Sequence, residues 1–401
     1  MIPRRWWIGG LLFASTVINY IDRQTLAVLA PYLKTDYHWN NEDFAKIIIS
    51  FRVAYALGQT VSGRFLDKAG TRNGLTVSVL WYSIAAMATS LANSLTGFCG
   101  FRFALGLGES ANWPGATKAV REHFPVNERT WAVALFDSGS SVGAAIAPVL
   151  VLWLYHWSGG WRAVFLITGV LGFLWLLAWR SLSTEAPALA EADSKPVHWP
   201  NLLRMPETWA AILSRGLTDP VWFFITDWLA VYLVARGFRM EDSLLAFWIP
   251  FAASDLGNFA GGGASSFLVR RGVHLEWARK AVAIPGALGM CALVFIPAAS
   301  SIVAIAALFA TATFCYSMFS TIAITLPADF APARAVATVS GMSGTAAGLG
   351  TIACTYIVGY VSDHYSFAPV LMGATVFPLL ALTAVMLLIG RSSAPSRSRF
   401  G

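Results

Sequence analysis

Among the ionisable side chains that interrupt long apolar stretches of the sequence are Asp22 and Arg23 in 6–33, Arg52 in 44–66, Arg102 and Glu109 in 97–120, and Asp227 in 208–235. An ionised group at the centre of a membrane helix costs about 2.5–3.5 kcal/mol on insertion scales, so such residues turn toward a cavity or a partner and mark substrate and ion pathways. Arg102 and Glu109 are seven residues apart, nearly two helical turns or about 10.5 Å of rise, and project from roughly one helix face. The planar guanidinium fork holds a carboxylate bidentately. Membrane carboxylates suit proton relay. A cation for an anionic substrate and an acid for a proton is one reading of the pair. A static structural pair between Arg102 and a carboxylate is the other. Asp22 and Arg23 are neighbours, so their side chains diverge by about 100° around a helix and meet different partners. Arg52 either snorkels to the interface or binds an anion.

The elements that must position these charges are membrane helices. The chain has 401 residues, 56% hydrophobic and 12% charged, against roughly 25% charged in a soluble domain. The remaining apolar stretches fall at 73–93, 130–155, 161–180, 243–268, 279–299, 301–326, 333–361 and 366–390. Spans of about 20 residues with short loops give twelve crossings. The excess of Lys and Arg over Asp and Glu, 28 to 21, lies mostly in the loops. Arg4, Arg5, Lys68, Arg72, Arg121, Arg129, Arg270, Arg271, Arg279, Lys280, Arg334, Arg391, Arg397 and Arg399 share one side, while Lys34, Arg162, Arg236 and Arg239 fall on the other. The positive-inside rule then puts both termini in the cytoplasm, which requires an even number of spans.

A polar interruption, Ser181 to Pro206, lies near the middle of the chain and reads as a cytoplasmic linker. The expected organisation is a six-helix half over 1–180, a linker over 181–207, a second six-helix half over 208–390 and a basic cytoplasmic tail over 391–401. A repeat supports it. Arg129 is followed at nine, ten and fourteen residues by Ser138, Gly139 and Gly143, and Arg334 at the same intervals by Ser343, Gly344 and Gly348. Asp22 and Asp227 share that 205-residue offset. Parallel repeats of this kind place a transporter's binding site between the halves.

Other chemistries lack their motifs. There is no GxxxxGK[ST] loop and no HExxH, and the four cysteines form no CxxC, so neither an enzyme, a metal site nor an ATP-driven pump is expected. Lipid rather than nucleic acid explains the basic balance. Trp6, Trp7, Trp157, Trp161 and Trp199 lie near span ends, as interfacial anchors do.

Gly63-Arg64-Phe65-Leu66-Asp67-Lys68-Ala69-Gly70-Thr71-Arg72 resembles the GxxxDRxGR signature of the major facilitator superfamily, and Arg102 to Gly108 resembles its RxxxGxG motif. Gly139 to Pro148 is a looser echo of its glycine-proline motif in helix five. Asn19-Tyr20-Ile21-Asp22-Arg23, Gly108 to Pro114 and Asp219-Pro220-Val221-Trp222 are similar to the anion:cation symporters, most of all to hexuronate transporters, with galactonate transporters and sialin related. Ser266 stands where the second-half loop of the family carries an acid, Asp227 where the hexuronate pattern is apolar or aromatic, and Arg52 at a usually apolar position.

The resemblance implies an all-α fold of twelve transmembrane helices in two pseudo-symmetric halves, inserted multi-pass in the inner, plasma membrane. It implies alternating-access symport of a small organic anion with protons, without a cofactor. Arg23 and Arg102 are then expected at the substrate carboxylate. Tyr20, Tyr55, Asn112 and Arg52 are further candidate substrate contacts. Asp22, Glu109 and Asp227 are expected to serve proton coupling. Gly63, Asp67, Gly70, Arg72 and Arg129 would form a cytoplasmic gate. A monomer is expected. Transport of another small carboxylate, drug-proton antiport and a non-transporting membrane sensor are the alternatives.

Overall fold

Hydropathy and turn residues dictate a chain of helices. The computed structural model describes residues 3–183, 198–238 and 244–390, and among them all regular structure is helical. The helices are α1 (Arg4–Tyr37), α2 (Asn41–Ala69), α3 (Thr71–Ala88), α4 (Leu95–Glu109), α5 (Asn112–His123), α6 (Arg129–Ser158) and α7 (Trp161–Leu182). They continue as α8 (Trp199–Leu203), α9 (Pro206–Ala235), α10 (Leu244–Arg270), α11 (Leu275–Met290), α12 (Ile302–Phe330), α13 (Val336–His364), α14 (Phe367–Ala374) and α15 (Val376–Leu388). Residues 184–197 of the expected linker, Arg239 and the tail 391–401 lie outside the described residues.

Local chemistry sets the helix ends. Asn40 caps α2 through Asp43 N at 2.9 Å, Ser94 caps α4 through Gly97 N at 3.1 Å, and Ser301 caps α12 through Ala304 N at 3.2 Å. Gly70 joins α2 to α3 at φ 77°, in the left-handed region. Among the described residues, eight helical stretches are long and apolar enough to cross a membrane by length and composition. Large apolar side chains such as Val149 and Leu177, 74% and 72% exposed, project outward as a lipid-facing surface requires.

The chain forms two compact units. The first comprises Met1–Phe124, Leu135–Lys195 and Pro332–Met342, the second Pro125–Ala134, Pro196–Ala331 and Ser343–Gly401. In the first, α2 packs on α4, α3 on α7 and α1 on α7, over a core that includes Leu29, Phe98 and Trp161. In the second, α10 and α11 pack on α12 and α15 on α9, around Phe224, Ile225 and Phe309. Trp7 and Trp157 are exposed, as anchors should be, whereas Trp161 is only 5% exposed. Its indole donates to Asp36 Oδ2 at 3.1 Å and packs on Phe98, so it is a core residue rather than an anchor.

The apolar stretch 97–120 is not one helix. Pro114 has no N–H to offer the Ser110 carbonyl, and the chain turns at Ser110 and Ala111 before α5 begins. Hydroxyls satisfy the carbonyls freed there: Ser78 donates to Gly108 O at 2.6 Å and Ser110 to Leu107 O at 2.6 Å. Glu109 thus ends a broken helix.

Candidate functional site

Arg23 and Glu109 meet. Arg23 Nε donates to Glu109 Oε2 at 2.6 Å, with side-chain exposures of 20% and 0%. Four aromatic rings surround the guanidinium, at 5.1 Å for Tyr20, 5.1 Å for Phe51, 4.4 Å for Tyr55 and 5.8 Å for Trp113. Such rings stabilise a cation in a site shielded from water. Arg23 Nη2 and Glu109 Oε1 remain without a hydrogen-bond partner, so each group retains capacity for another ligand.

Arg102 takes a different role from a carboxylate fork. Its Nη1 donates to Asp22 O at 3.1 Å and its Nη2 to Arg23 O at 3.2 Å, across Phe51 at 5.3 Å. One side chain thereby fixes two successive carbonyls of α1 and the direction in which Arg23 leaves the helix. On the same helix Gly106 lets α4 approach α2, because a Cβ there would lie 2.6 Å from Phe51 O and 3.2 Å from Tyr55 N.

Asp22, 2% exposed, points away from Arg23, as adjacent helical residues do. Neither of its oxygens has a hydrogen-bond partner. Asn19 and Tyr82, both also fully buried, leave their side-chain polar atoms unpartnered. Asn112 is absorbed into packing: Ser15 donates to its Oδ1 at 2.9 Å and its Nδ2 to Thr16 Oγ1 at 3.1 Å, which pins α5 to α1. Arg52 is exposed on α2. The Asp227 side chain lies outside the described residues.

The expected gate residues divide. Asp67 pairs with Lys118 at 3.1 Å and accepts from Thr338 N at 2.7 Å and Thr338 Oγ1 at 2.6 Å. A carboxylate at the first turn of α13 suits that helix end. Gly63 lets α2 approach, since a Cβ there would collide with Ala337 O. Arg72 does not reach Asp67 but donates to Arg180 O at 2.9 Å. Arg129 belongs to the second unit, where its Nη1 pairs with Asp329 Oδ1 at 3.0 Å while Arg279 Nε holds Oδ2 at 2.8 Å. Ser266, in place of an acid, meets Thr130 Oγ1 at 2.7 Å, a neutral counterpart of the Asp67–Thr338 contact.

Sequence reasoning missed three polar features. Arg215 pairs with Asp219 at 2.8 Å, and Tyr316 donates to the other oxygen of Asp219 at 3.1 Å beneath a stacked Trp222. The i, i+4 spacing of Arg215 and Asp219 on α9 was the available signal. Lys118 is nearly buried in the middle of α5, and Asp137 lies within α6, where Trp113 Nε1 donates to it at 3.0 Å. An acid inside an apolar stretch was its signal.

The family model of the Major Facilitator Superfamily matches residues 12–353. The chain is 31% identical over 404 residues to a hexuronate transporter of Escherichia coli strain K12, covering 95% of this chain and 93% of the relative. It is 32% identical over 308 residues to a galacturonate transporter of Dickeya chrysanthemi, covering 71% of this chain and 89% of the relative. The crystal structure of the human organic anion transporter MFSD10 superposes with a TM-score of 0.77 at 14% identity, over 96% of this chain and 100% of that one, which establishes the fold. This chain is a multi-pass membrane transporter belonging to the Major Facilitator Superfamily.

Proposed function

We propose that the chain carries a small organic anion, a hexuronate or a related sugar acid, into the cytoplasm together with one or more protons by alternating access, as a monomer in the inner membrane. The observation that carries this reading is the buried Arg23–Glu109 pair inside an aromatic box. With Glu109 ionised, Arg23 is already neutralised. A proton arriving on Glu109 removes that partner and leaves a shielded guanidinium, whose best remaining ligand is the carboxylate of a substrate. Substrate and proton therefore enter together. Release of the proton on the other side restores the internal pair and expels the anion.

Tyr20 and Tyr55 flank the guanidinium and are suited to meet substrate hydroxyls, while Arg102 orients α1 around the bound carboxylate. Asp22 and Asp227 are proposed as further proton carriers. Asp67, with Lys118 and the first turn of α13, braces the cytoplasmic helix ends, aided by Gly63 and Gly70, while Arg72 and Arg129 hold neighbouring segments. Relatives whose names specify hexuronate and galacturonate support the cargo class.

Uptake of labelled glucuronate and galacturonate into proteoliposomes under an inward proton gradient tests the reading. Accumulation that collapses with a protonophore is the expected result. No accumulation of either acid, with efflux of lipophilic cations instead, overturns it in favour of a drug-proton antiporter.

A further inference from the structure

Three guanidinium groups gather at the C-terminal end of α7, on the side that the positive-inside rule assigns to the cytoplasm. Arg4 Nη2 and Nε donate to Leu182 O at 2.8 and 3.1 Å, Arg72 Nη2 donates to Arg180 O at 2.9 Å, and Arg180 Nη1 donates to Asn73 Oδ1 at 3.0 Å. The acceptors are two backbone carbonyls and a side-chain amide, so these contacts leave all three charges uncompensated. A guanidinium carries five N–H donors, more than the contacts use, and Arg72 Nε is buried with no partner. Helices α1, α3 and α7 thus meet in one basic cluster within the first unit.

Capping of α7 does not account for three cations. A helix macrodipole concentrates about half an elementary negative charge at the C-terminus, and the arginines bring three positive charges to it. The surplus suits an anion, and the adjoining surface says of what kind. Val170, Leu174 and Leu177 are exposed and follow one another at helical spacing down α7, with exposed Arg180 three residues further on the same side. Trp7, also exposed, stands one turn from Arg4 on α1, at the headgroup level that interfacial tryptophans take. An apolar track that ends at a basic cluster matches an anionic phospholipid, whose acyl chains follow the track and whose phosphate meets the cations. A soluble anion gains nothing from the track, and a zwitterionic lipid brings a cation of its own to the cluster.

We propose that the end of α7 is a binding site for an anionic phospholipid, with the phosphate held by Arg4, Arg72 and Arg180 and the acyl chains laid along Val170, Leu174 and Leu177, so that the lipid ties α1 and α3 to α7. The site is separate from the Arg23–Glu109 pair and is independent of which anion is carried.

Full-length protein in detergent, titrated with phosphatidylglycerol, phosphatidylcholine or glycerol 3-phosphate, tests it, with bound ligand counted by native mass spectrometry and stability read from the thermal midpoint. An arginine beside an anionic headgroup is worth roughly fivefold in binding. The wild-type protein should therefore prefer phosphatidylglycerol over phosphatidylcholine by at least about tenfold, and its midpoint should rise with the anionic lipid. Glycerol 3-phosphate, which has the charge without the chains, should give neither effect. In Arg4→Gln/Arg180→Gln the preference should fall to about twofold or less and the midpoint shift should vanish, whereas Arg4→Lys/Arg180→Lys, which keeps the charges, should retain both. Should the double glutamine variant fail to assemble, Arg180→Gln alone, which leaves Arg4 on Leu182 O, should cost about fivefold. Equal binding of the two lipids by the wild-type protein, an unchanged preference in the glutamine variants, or glycerol 3-phosphate binding as tightly as phosphatidylglycerol overturns the inference.

Discussion

Arg23 and Glu109, 86 residues apart in the chain, close an ion pair of 2.6 Å between α1 and the end of α4. The pairing is internal neutralisation that a proton can undo, and it makes the two residues partners rather than independent binders. Arg102, seven residues before Glu109, serves the same pair from behind by holding the α1 carbonyls.

Glu109→Gln fixes the neutral form of the side chain. Proton-driven accumulation of galacturonate should be abolished, while counterflow exchange between loaded liposomes continues. Loss of both activities together would contradict a dedicated coupling role for Glu109.

Arg102→Lys keeps a charge but not the two diverging donors that reach Asp22 O and Arg23 O. The loss of one charged hydrogen bond should raise KM for the anion by about tenfold or more. Unchanged KM, measured alongside the ligand-induced shift in thermal stability, would remove Arg102 from the positioning of Arg23.

Asp329→Asn removes the charge of a carboxylate that pairs with both Arg129 and Arg279, whose side chains are 8% and 0% exposed. Breaking these buried ion pairs should cost about 3–5 kcal/mol of stability. Denaturant midpoints of the purified protein in detergent read this out directly, and a midpoint equal to wild type would show that the pair is dispensable.

Gly106 and Gly100 provide a matched comparison on one helix. A methyl group at Gly106 would strike the Phe51 carbonyl, so Gly106→Ala should cost about 1–3 kcal/mol and impair uptake. Gly100 has nothing within 4 Å of its Cβ position, so Gly100→Ala should instead stabilise by about 0.5–1 kcal/mol through helix propensity. Equal effects at the two sites would refute the packing argument.

The stations of the charges were legible in the sequence because they are local properties. Hydropathy marks a membrane helix within a single window, and Asp22, Arg23, Arg102 and Glu109 stood out against it. Pro114 marks the break after Glu109 in the sequence as well, although hydropathy alone runs 97–120 together as one stretch.

Partnership was not local, and only the tertiary structure decided it. Spacing put Arg102 and Glu109 on one face, yet Glu109 bonds to Arg23, which the fold brings from α1 to the end of α4. Asp67 binds Lys118 instead of Arg72, Asn112 is consumed in joining α5 to α1, and Asp137 meets Trp113 across two helices. Sequence composition fixes which groups cannot face lipid. Which groups then satisfy one another depends on helix crossings and on backbone approaches of the kind Gly106 permits, and these are set by packing between segments far apart in the chain.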